Sequence, residues 1–124
     1  MTVEELLAQA RSHLERLEPE AASHAMAGGA VLVDIRAERQ RTTDGVVPDA
    51  VFIARNVLEW RCAPDGDHRD TRLCDPDRRL IVMCDGSYQS SLAAANLRDL
   101  GLRRAADLAG GFQAWRAEGL PVTR

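Results

Sequence analysis

The residue of this chain that is best placed to do chemistry is Cys84, which follows a buried strand and opens a loop that leads into a helix. Residues 80–83 are all apolar, residues 85–91 form a short polar turn, and residues 92–97 are rich in alanine. A helix start carries unpaired N–H groups and a partial positive charge, and successive loop N–H groups can form an anion-binding nest. Both favour the thiolate, which is the nucleophilic form of cysteine. The pattern therefore predicts a nucleophile at Cys84, with a buried and inert cysteine as the alternative.

The size and composition of the chain indicate one globular domain. It has 124 residues, of which 45% are hydrophobic and 28% are charged, and its net charge is -3. It has no basic stripe of the kind that binds nucleic acid, and no apolar run of the roughly 20 residues that span a bilayer. The acidic N-terminus lacks the pattern of a signal peptide. We therefore expect a cytoplasmic protein that binds neither nucleic acid nor membrane.

The residue types exclude further kinds of chemistry. All 16 basic residues are arginine, so no lysine is present to form a Schiff base. The cysteines, Cys62, Cys74 and Cys84, are odd in number and widely spaced, which argues against a disulfide framework and against a zinc ribbon. The histidines also lack the spacing of metal ligands. We therefore expect no metal and no other cofactor.

Short apolar runs alternate with helical segments along the chain. Strands are predicted at residues 30–35, 50–54, 80–83 and 105–108. Because these runs are mostly apolar and do not alternate with polar residues, they predict an α/β fold with a mostly parallel central sheet flanked by helices on both faces. Ligands of such sheets bind beyond the carboxyl ends of the strands, which is where Cys84 lies.

The N-terminal part of the chain is predicted to be helical. Thr2 can cap a helix whose apolar residues recur at helical spacing as far as Leu17. Pro19 ends that helix and can start a second one. We therefore divide the chain into a helical extension, residues 1–28, that packs on the domain, and the domain itself, residues 29–124. A dimer face on the first helix is the alternative to packing on the domain.

Five segments of the chain, taken in order, resemble the motifs of single-domain rhodaneses. The motifs are Asp-x-Arg after the first strand, a Gly-His-Ile-Pro-Gly-Ala turn, the strand before the catalytic cysteine, Leu-x-Gly-Gly-x-x-x-Trp, and a closing Gly-Leu-Pro-Val. In this chain they lie at residues 33–36, 45–50, 82–84, 108–115 and 119–122. The resemblance covers nearly the whole chain after residue 30 and implies the rhodanese-like fold of a sulfurtransferase family.

The loop after Cys84 departs from the pattern Cys-x-x-Gly-x-Arg-Ser that many rhodaneses have. Ser87 stands at the usual position of the glycine, and Gln89 stands where arginine is common. In the earlier turn, Asp49 stands at the position of the second glycine. The resemblance therefore implies the fold, while activity with a standard small anionic donor does not follow from it.

The resemblance implies that Cys84 accepts sulfane sulfur from thiosulfate or a persulfide and passes it, through a cysteine persulfide, to a thiol or to cyanide. The loop amides would cradle the persulfide, and the serine hydroxyls are expected to add donors. The arginines outside the loop that can compensate for Gln89, if they reach the cavity, are Arg36, Arg55 and Arg61, although an ion pair with Asp34 is the favoured role of Arg36. The expected substrate-binding residues are Asp85, Gly86, Ser87, Tyr88, Gln89, Ser90, Ser91, Arg36 and Arg61.

Three other functions stay open on the same fold. A phosphatase would need a loop arginine to grip phosphoryl oxygens, but the fifth and sixth residues after Cys84 are Gln89 and Ser90, which disfavours this function. A binding or regulatory module would take up no sulfur. A persulfide carrier would take up sulfur and deliver it to a protein acceptor, with slow turnover of small molecules.

Overall fold

The computed structural model describes residues 1–124 and is built around a five-stranded sheet in which every pairing is parallel. The strands are β1 (Glu15–Leu17), β2 (Val31–Asp34), β3 (Val51–Phe52), β4 (Leu80–Met83) and β5 (Ala106–Leu108). The helices are α1 (Val3–Arg11), α2 (Pro19–Ala27), α3 (Glu38–Asp44), α4 (Leu58–Cys62), α5 (Gln89–Asp99) and α6 (Gly111–Ala117), with a short 3-10 helix at Arg55–Val57. None of the helices is long and apolar enough to cross a membrane.

The order of the strands is β1-β5-β4-β2-β3, which places β4 at the centre of the sheet. All four residues of β4 are apolar and fully buried. Because successive side chains of a strand point to opposite faces, Val82 packs in a core cluster with α5, while Ile81 packs in a second cluster with α2 and α6. The prediction of a mostly parallel sheet with helices on both faces is confirmed.

The first helix is shorter than the sequence predicts. Glu5 donates its backbone N–H to Thr2 Oγ1 at 3.0 Å, which confirms the cap, but α1 ends at Arg11. Residues 15–17 instead form the edge strand β1, which pairs with β5. The prediction of a helix as far as Leu17 was wrong because three strand residues are too few to show an alternating pattern. Strand β1 lies in the common sheet, and the division of the chain into an extension and a main domain stays a prediction.

Three strand ends surround the loop that contains Cys84. The loop leaves the carboxyl end of β4 and runs directly into α5. In the register of the sheet, Asp34 of β2 is the neighbour of Met83, and Asp107 of β5 is the neighbour of Val82. Two carboxylates are therefore positioned beside the strand end that carries the cysteine.

Candidate active site

The Cys84 side chain borders an open cavity and accepts hydrogen bonds from two main-chain N–H groups. The amides of Ser87 and Ser90 donate to Cys84 Sγ at 3.1 and 3.3 Å. Cys84 is 8% exposed and lines a cavity of about 280 Å³. The other residues that line it are Ile35, Arg36, Ala37, Gln40, Asp85, Gly86, Tyr88 and Gln89. A cysteine sulfur that meets amide donors at the edge of a cavity is the arrangement that nucleophilic cysteine chemistry needs.

The start of α6 holds the first two residues of the loop. The backbone N–H of Phe112 donates to the Cys84 carbonyl at 2.9 Å, and that of Gln113 donates to the Asp85 carbonyl at 3.2 Å. Gln113 Nε2 also donates to the Asp85 carboxylate at 2.9 Å. The approach is so close that a Cβ on Gly111 would lie 2.5 Å from the Asp85 carbonyl oxygen. Gly111 is therefore required for α6 to contact the loop.

A buried carboxylate, Asp107, supports the loop from the sheet. Asp107 Oδ2 accepts from Ser91 Oγ at 2.6 Å and from Ser90 Oγ at 3.3 Å. Arg16 Nε donates to Asp107 Oδ1 at 3.1 Å, and Asp107 itself has no exposed surface. These contacts direct the hydroxyls of Ser90 and Ser91 to Asp107. The donors that meet the sulfur are main-chain amides, and the geometry does not support the expectation that these two hydroxyls are donors for a substrate, which stays a prediction.

Ser87 is held on both its carbonyl and its hydroxyl. Its φ is 72°, in the left-handed region. Its carbonyl oxygen accepts from Arg11 Nη2 at 2.9 Å. Its hydroxyl accepts from Arg16 Nη2 at 2.9 Å, so this hydroxyl is also engaged away from the sulfur. The backbone of Ser87, and not its side chain, serves Cys84.

Tyr88 and Gln89 form the rim of the cavity. Tyr88 is 69% exposed, and Gln89 Oε1 accepts from Arg55 Nε at 3.0 Å. Arg55 also pairs with Glu59 at 2.8 Å. Burial acts in the opposite direction, but hydrogen bonds from Asn96 and Arg55 outweigh it and lower the pKa of Glu59. Glu59 is therefore ionised at neutral pH and balances the positive charge that Arg55 brings to the rim.

The two arginines expected to bind substrate are both engaged elsewhere. The Arg36 guanidinium has no exposed surface, because it pairs with Asp34 at 2.9 Å, donates to the Gly45 carbonyl at 2.8 Å and stacks on Phe112. Only the backbone of Arg36 therefore borders the cavity. Arg61 donates to the His68 carbonyl and does not line the cavity at all. The geometry lends no support to substrate contact by either guanidinium, and the ion pair with Asp34 is present.

Comparison with known proteins decides the family. A model of the rhodanese-like domain matches residues 18–118 of the chain. The chain belongs to the rhodanese family. The thiosulfate sulfurtransferase GlpE of Pseudomonas savastanoi pv. phaseolicola is 31% identical to it over 106 residues, which are 86% of this chain and 91% of that protein. A sulfurtransferase of Allochromatium vinosum is 29% identical over 92 residues, or 74% of this chain and 77% of that one.

A solved structure from Rhodopseudomonas palustris matches this rhodanese over almost its whole length. That protein of unknown function, described as a possible tyrosine phosphatase, is 31% identical and has a TM-score of 0.91. The match covers 99% of this chain and 95% of the other. It therefore extends over α1 and β1, which precede the part of the chain matched by the model of the rhodanese-like domain.

Two departures of this rhodanese from the usual motifs share one backbone feature. Ser87 and Asp49, which stand where glycine is usual, are the two non-glycine residues with a positive φ, 72° and 71°. Glycine adopts such angles without steric cost, whereas other residues do so at a cost. The left-handed backbone conformation is therefore present at both positions, although neither residue is glycine.

Sequence reasoning did not single out Arg11, Arg16 or Asp107. Arg11 and Arg16 lie 71 to 80 residues before their partners in the loop, so no local pattern connects them to it. Asp107 alone left a signal, because it is the one charged residue in the otherwise apolar run 105–108. A charged side chain in a predicted buried strand needs polar partners. The partners that Asp107 finds, Arg16, Ser90 and Ser91, belong to the support of the Cys84 loop.

Proposed function

We propose that this rhodanese is a sulfurtransferase that carries sulfane sulfur as a persulfide on Cys84. The observation that carries the proposal is the pair of amides, from Ser87 and Ser90, that point at Cys84 Sγ at 3.1 and 3.3 Å. Hydrogen bonds to a charged group are stronger than those to a neutral one, so these donors are suited to stabilise the negative charge that the sulfur carries as a nucleophile and as a leaving group. The open cavity gives a small donor access to the sulfur.

The transfer takes two displacements at sulfur. The Cys84 thiolate attacks the outer sulfur of the donor, the donor's S–S bond breaks, and the leaving group departs with the electron pair as sulfite or a thiolate. The acceptor, a thiol or cyanide, then attacks the outer sulfur of the Cys84 persulfide and releases the Cys84 thiolate. This is covalent catalysis in which the amides of residues 85–91 stabilise the negative charge on sulfur.

Charges at the rim favour a donor with less charge than thiosulfate. Asp85, whose carboxylate accepts from Gln113, is one of the residues that line the cavity, and the positive charge of Arg55 is balanced by Glu59. Two unit charges 4 Å apart interact by about 4 kcal/mol at an effective dielectric constant near 20, and by less at an open mouth. Even about 1.4 kcal/mol is a tenfold change in affinity. We expect the KM for thiosulfate to be at least about tenfold above that for a small-thiol persulfide. A KM for thiosulfate in the low micromolar range would refute this donor preference.

Mass spectrometry after incubation with a sulfane-sulfur donor tests the central step. The peptide that contains Cys84 should gain the mass of one sulfur atom, and Cys84→Ser should abolish the gain. Cys74→Ser is the matched control at another thiol that is partly exposed, and it should leave the gain unchanged. No sulfur on Cys84 would contradict the proposal and favour a binding module. Sulfur uptake without turnover to cyanide would favour a carrier that serves a protein acceptor.

Phosphatase activity is the second candidate, because the Rhodopseudomonas palustris protein that matches 99% of this chain is described as a possible tyrosine phosphatase. The loop of this chain offers amides but no arginine to grip a phosphoryl group. The guanidinium groups that contact the loop are already engaged: those of Arg11 and Arg16 by the carbonyl and the hydroxyl of Ser87, and that of Arg55 by Gln89 and Glu59. We therefore expect no hydrolysis of p-nitrophenyl phosphate above the level of Cys84→Ser.

A further inference from the structure

We propose that Arg11 and Arg16 are positioning residues for Cys84, because they hold Ser87 in the backbone conformation that directs its N–H to the sulfur. The inference rests on the proposed function for its biological meaning, although the geometry that it concerns can be tested without any sulfur donor. Neither arginine lines the cavity, so neither is expected to touch a substrate.

The conformation of Ser87 needs support from outside the loop. A residue with a Cβ is disfavoured in the left-handed region by roughly five- to thirtyfold relative to the right-handed one. Ser87 nevertheless has a φ of 72°, and its N–H lies 3.1 Å from Cys84 Sγ. If Ser87 relaxed to a negative φ, its peptide groups would turn and this donor would leave the sulfur. The interactions that hold Ser87 are therefore part of the site.

Each arginine makes a forked contact that includes Ser87. Arg11 Nη2 donates to the Ser87 carbonyl and Arg11 Nε donates to Ser91 Oγ, both at 2.9 Å. Arg16 Nη2 donates to the Ser87 hydroxyl at 2.9 Å, and Arg16 Nε donates to the buried Asp107 at 3.1 Å. A guanidinium presents its donors in a rigid plane, so two anchored donors fix the position of both acceptors. Together the two arginines hold both polar groups of Ser87 other than its N–H.

The two arginines contact Ser87 although they lie 76 and 71 residues before it in the chain. Arg11 ends α1 and Arg16 lies in β1, both before residue 18, where the match to the rhodanese-like domain begins. A glycine at position 87 would adopt the same φ without cost and would depend less on outside support. The requirement for the arginines should therefore be greatest with serine at position 87 and smaller with glycine.

The test combines Arg11→Ala, Ser87→Gly and the double variant. The first measurement is the rate at which iodoacetamide alkylates Cys84 near neutral pH, assigned by peptide mass. The second is the rate of persulfide formation on Cys84 in a single turnover. We expect Arg11→Ala to lower both rates by roughly five- to thirtyfold. In the Ser87→Gly background, Arg11→Ala should lower the two rates by only about threefold or less, because glycine adopts the positive φ without steric cost.

Arg103→Ala is the matched control, because Arg103 is 70% exposed and pairs with Asp77 near the starts of β5 and β4, at the edge of the sheet opposite the loop. It should leave both rates unchanged. Circular dichroism and thermal melting check that the variants are folded; if Arg11→Ala is not, Arg11→Gln replaces it with the same expected direction. Alkylation of folded Arg11→Ala at the wild-type rate would overturn the proposal. The proposal would also be overturned if Arg11→Ala lowered the two rates by the same factor with serine and with glycine at position 87.

The two measurements separate this inference from the proposed function. If alkylation follows the expected pattern while the wild-type protein takes up no sulfur, the positioning role stands and the sulfurtransferase proposal fails. If the wild-type protein takes up sulfur but neither rate responds to Arg11→Ala, the function stands and the positioning role fails.

Discussion

Replacing Gly111 by alanine tests whether the start of α6 holds the Cys84 loop in place. An added Cβ would lie 2.5 Å from the carbonyl oxygen of Asp85 and 2.7 Å from that of Cys84. Both are backbone atoms, so α6 and the loop would have to separate by roughly 1 Å to reach ordinary contact distance. That separation would stretch the hydrogen bonds from Phe112 N to the Cys84 carbonyl and from Gln113 N to the Asp85 carbonyl, now 2.9 and 3.2 Å.

A second glycine of the chain separates this effect from that of backbone conformation. Gly119 has a φ of +75°, close to the +65° of Gly111, but an added Cβ there meets no atom within 4 Å. Gly119→Ala should therefore lower the free energy of unfolding only because alanine is disfavoured in the left-handed region, which costs about 1 to 2 kcal/mol. Gly111→Ala adds the loss of two backbone hydrogen bonds at about 1 kcal/mol each. We expect a total loss of about 3 to 4 kcal/mol for Gly111→Ala.

The assay is denaturant unfolding of both variants, together with alkylation of Cys84 in the folded fraction. Gly111→Ala should lose about 2 kcal/mol more than Gly119→Ala, and it alone should slow the alkylation, because it alone displaces the loop. Equal losses of stability in the two variants, with Cys84 equally reactive in both, would refute the role assigned to the contact between α6 and the loop.

Three further predictions follow from buried groups. Hydrogen bonds from Arg72 lower the pKa of Asp70 from 3.8 to about 2, so stability present above pH 3.8 should be lost as the pH falls towards 2. Because Arg72 is largely exposed, we expect the free energy of unfolding to fall by only about 1 kcal/mol over this pH range. The Asp70→Asn variant should not show this fall when acid unfolding is followed by circular dichroism. Burial, with a smaller contribution from the carboxylate of Asp70, raises the pKa of Cys62 to about 12. Cys62 should therefore resist iodoacetamide in the native protein at mildly alkaline pH and react once the chain is unfolded; rapid native labelling would contradict its burial. Asp107→Asn should lower the free energy of unfolding in denaturant by about 2 to 4 kcal/mol, because it leaves Arg16 without its carboxylate partner. An unchanged free energy of unfolding would contradict the role of Asp107 in supporting the loop.

The centre of the fold could be predicted from the sequence because its signals are local. The run 80–83 is apolar on both faces, as only a strand covered by helices on both sides can be, and it became the central strand β4. The edge strand β1 was missed because three residues carry too little pattern, and because Leu14 and Leu17 fit helical spacing equally well. The substrate contacts expected of Arg36 and Arg61 stay predictions that the geometry does not support. The sequence offers Asp34, two residues away, as a partner for Arg36, but it does not show that Arg61 donates to the carbonyl of His68.

Local sequence is enough to show that a cysteine ends a buried strand and is followed by a polar turn and a helix, since residues adjacent in the chain share that geometry whatever the rest of the fold does. Which groups shape the turn depends instead on how the whole chain packs. Arg11, Arg16 and Asp107 meet Ser87, Ser90 and Ser91 across 16 to 80 residues of chain. Those contacts exist because the strand order β1-β5-β4 brings three distant segments to one edge of the sheet. Strand order is set by the burial of whole faces, a property of the packed chain that no short stretch of residues contains.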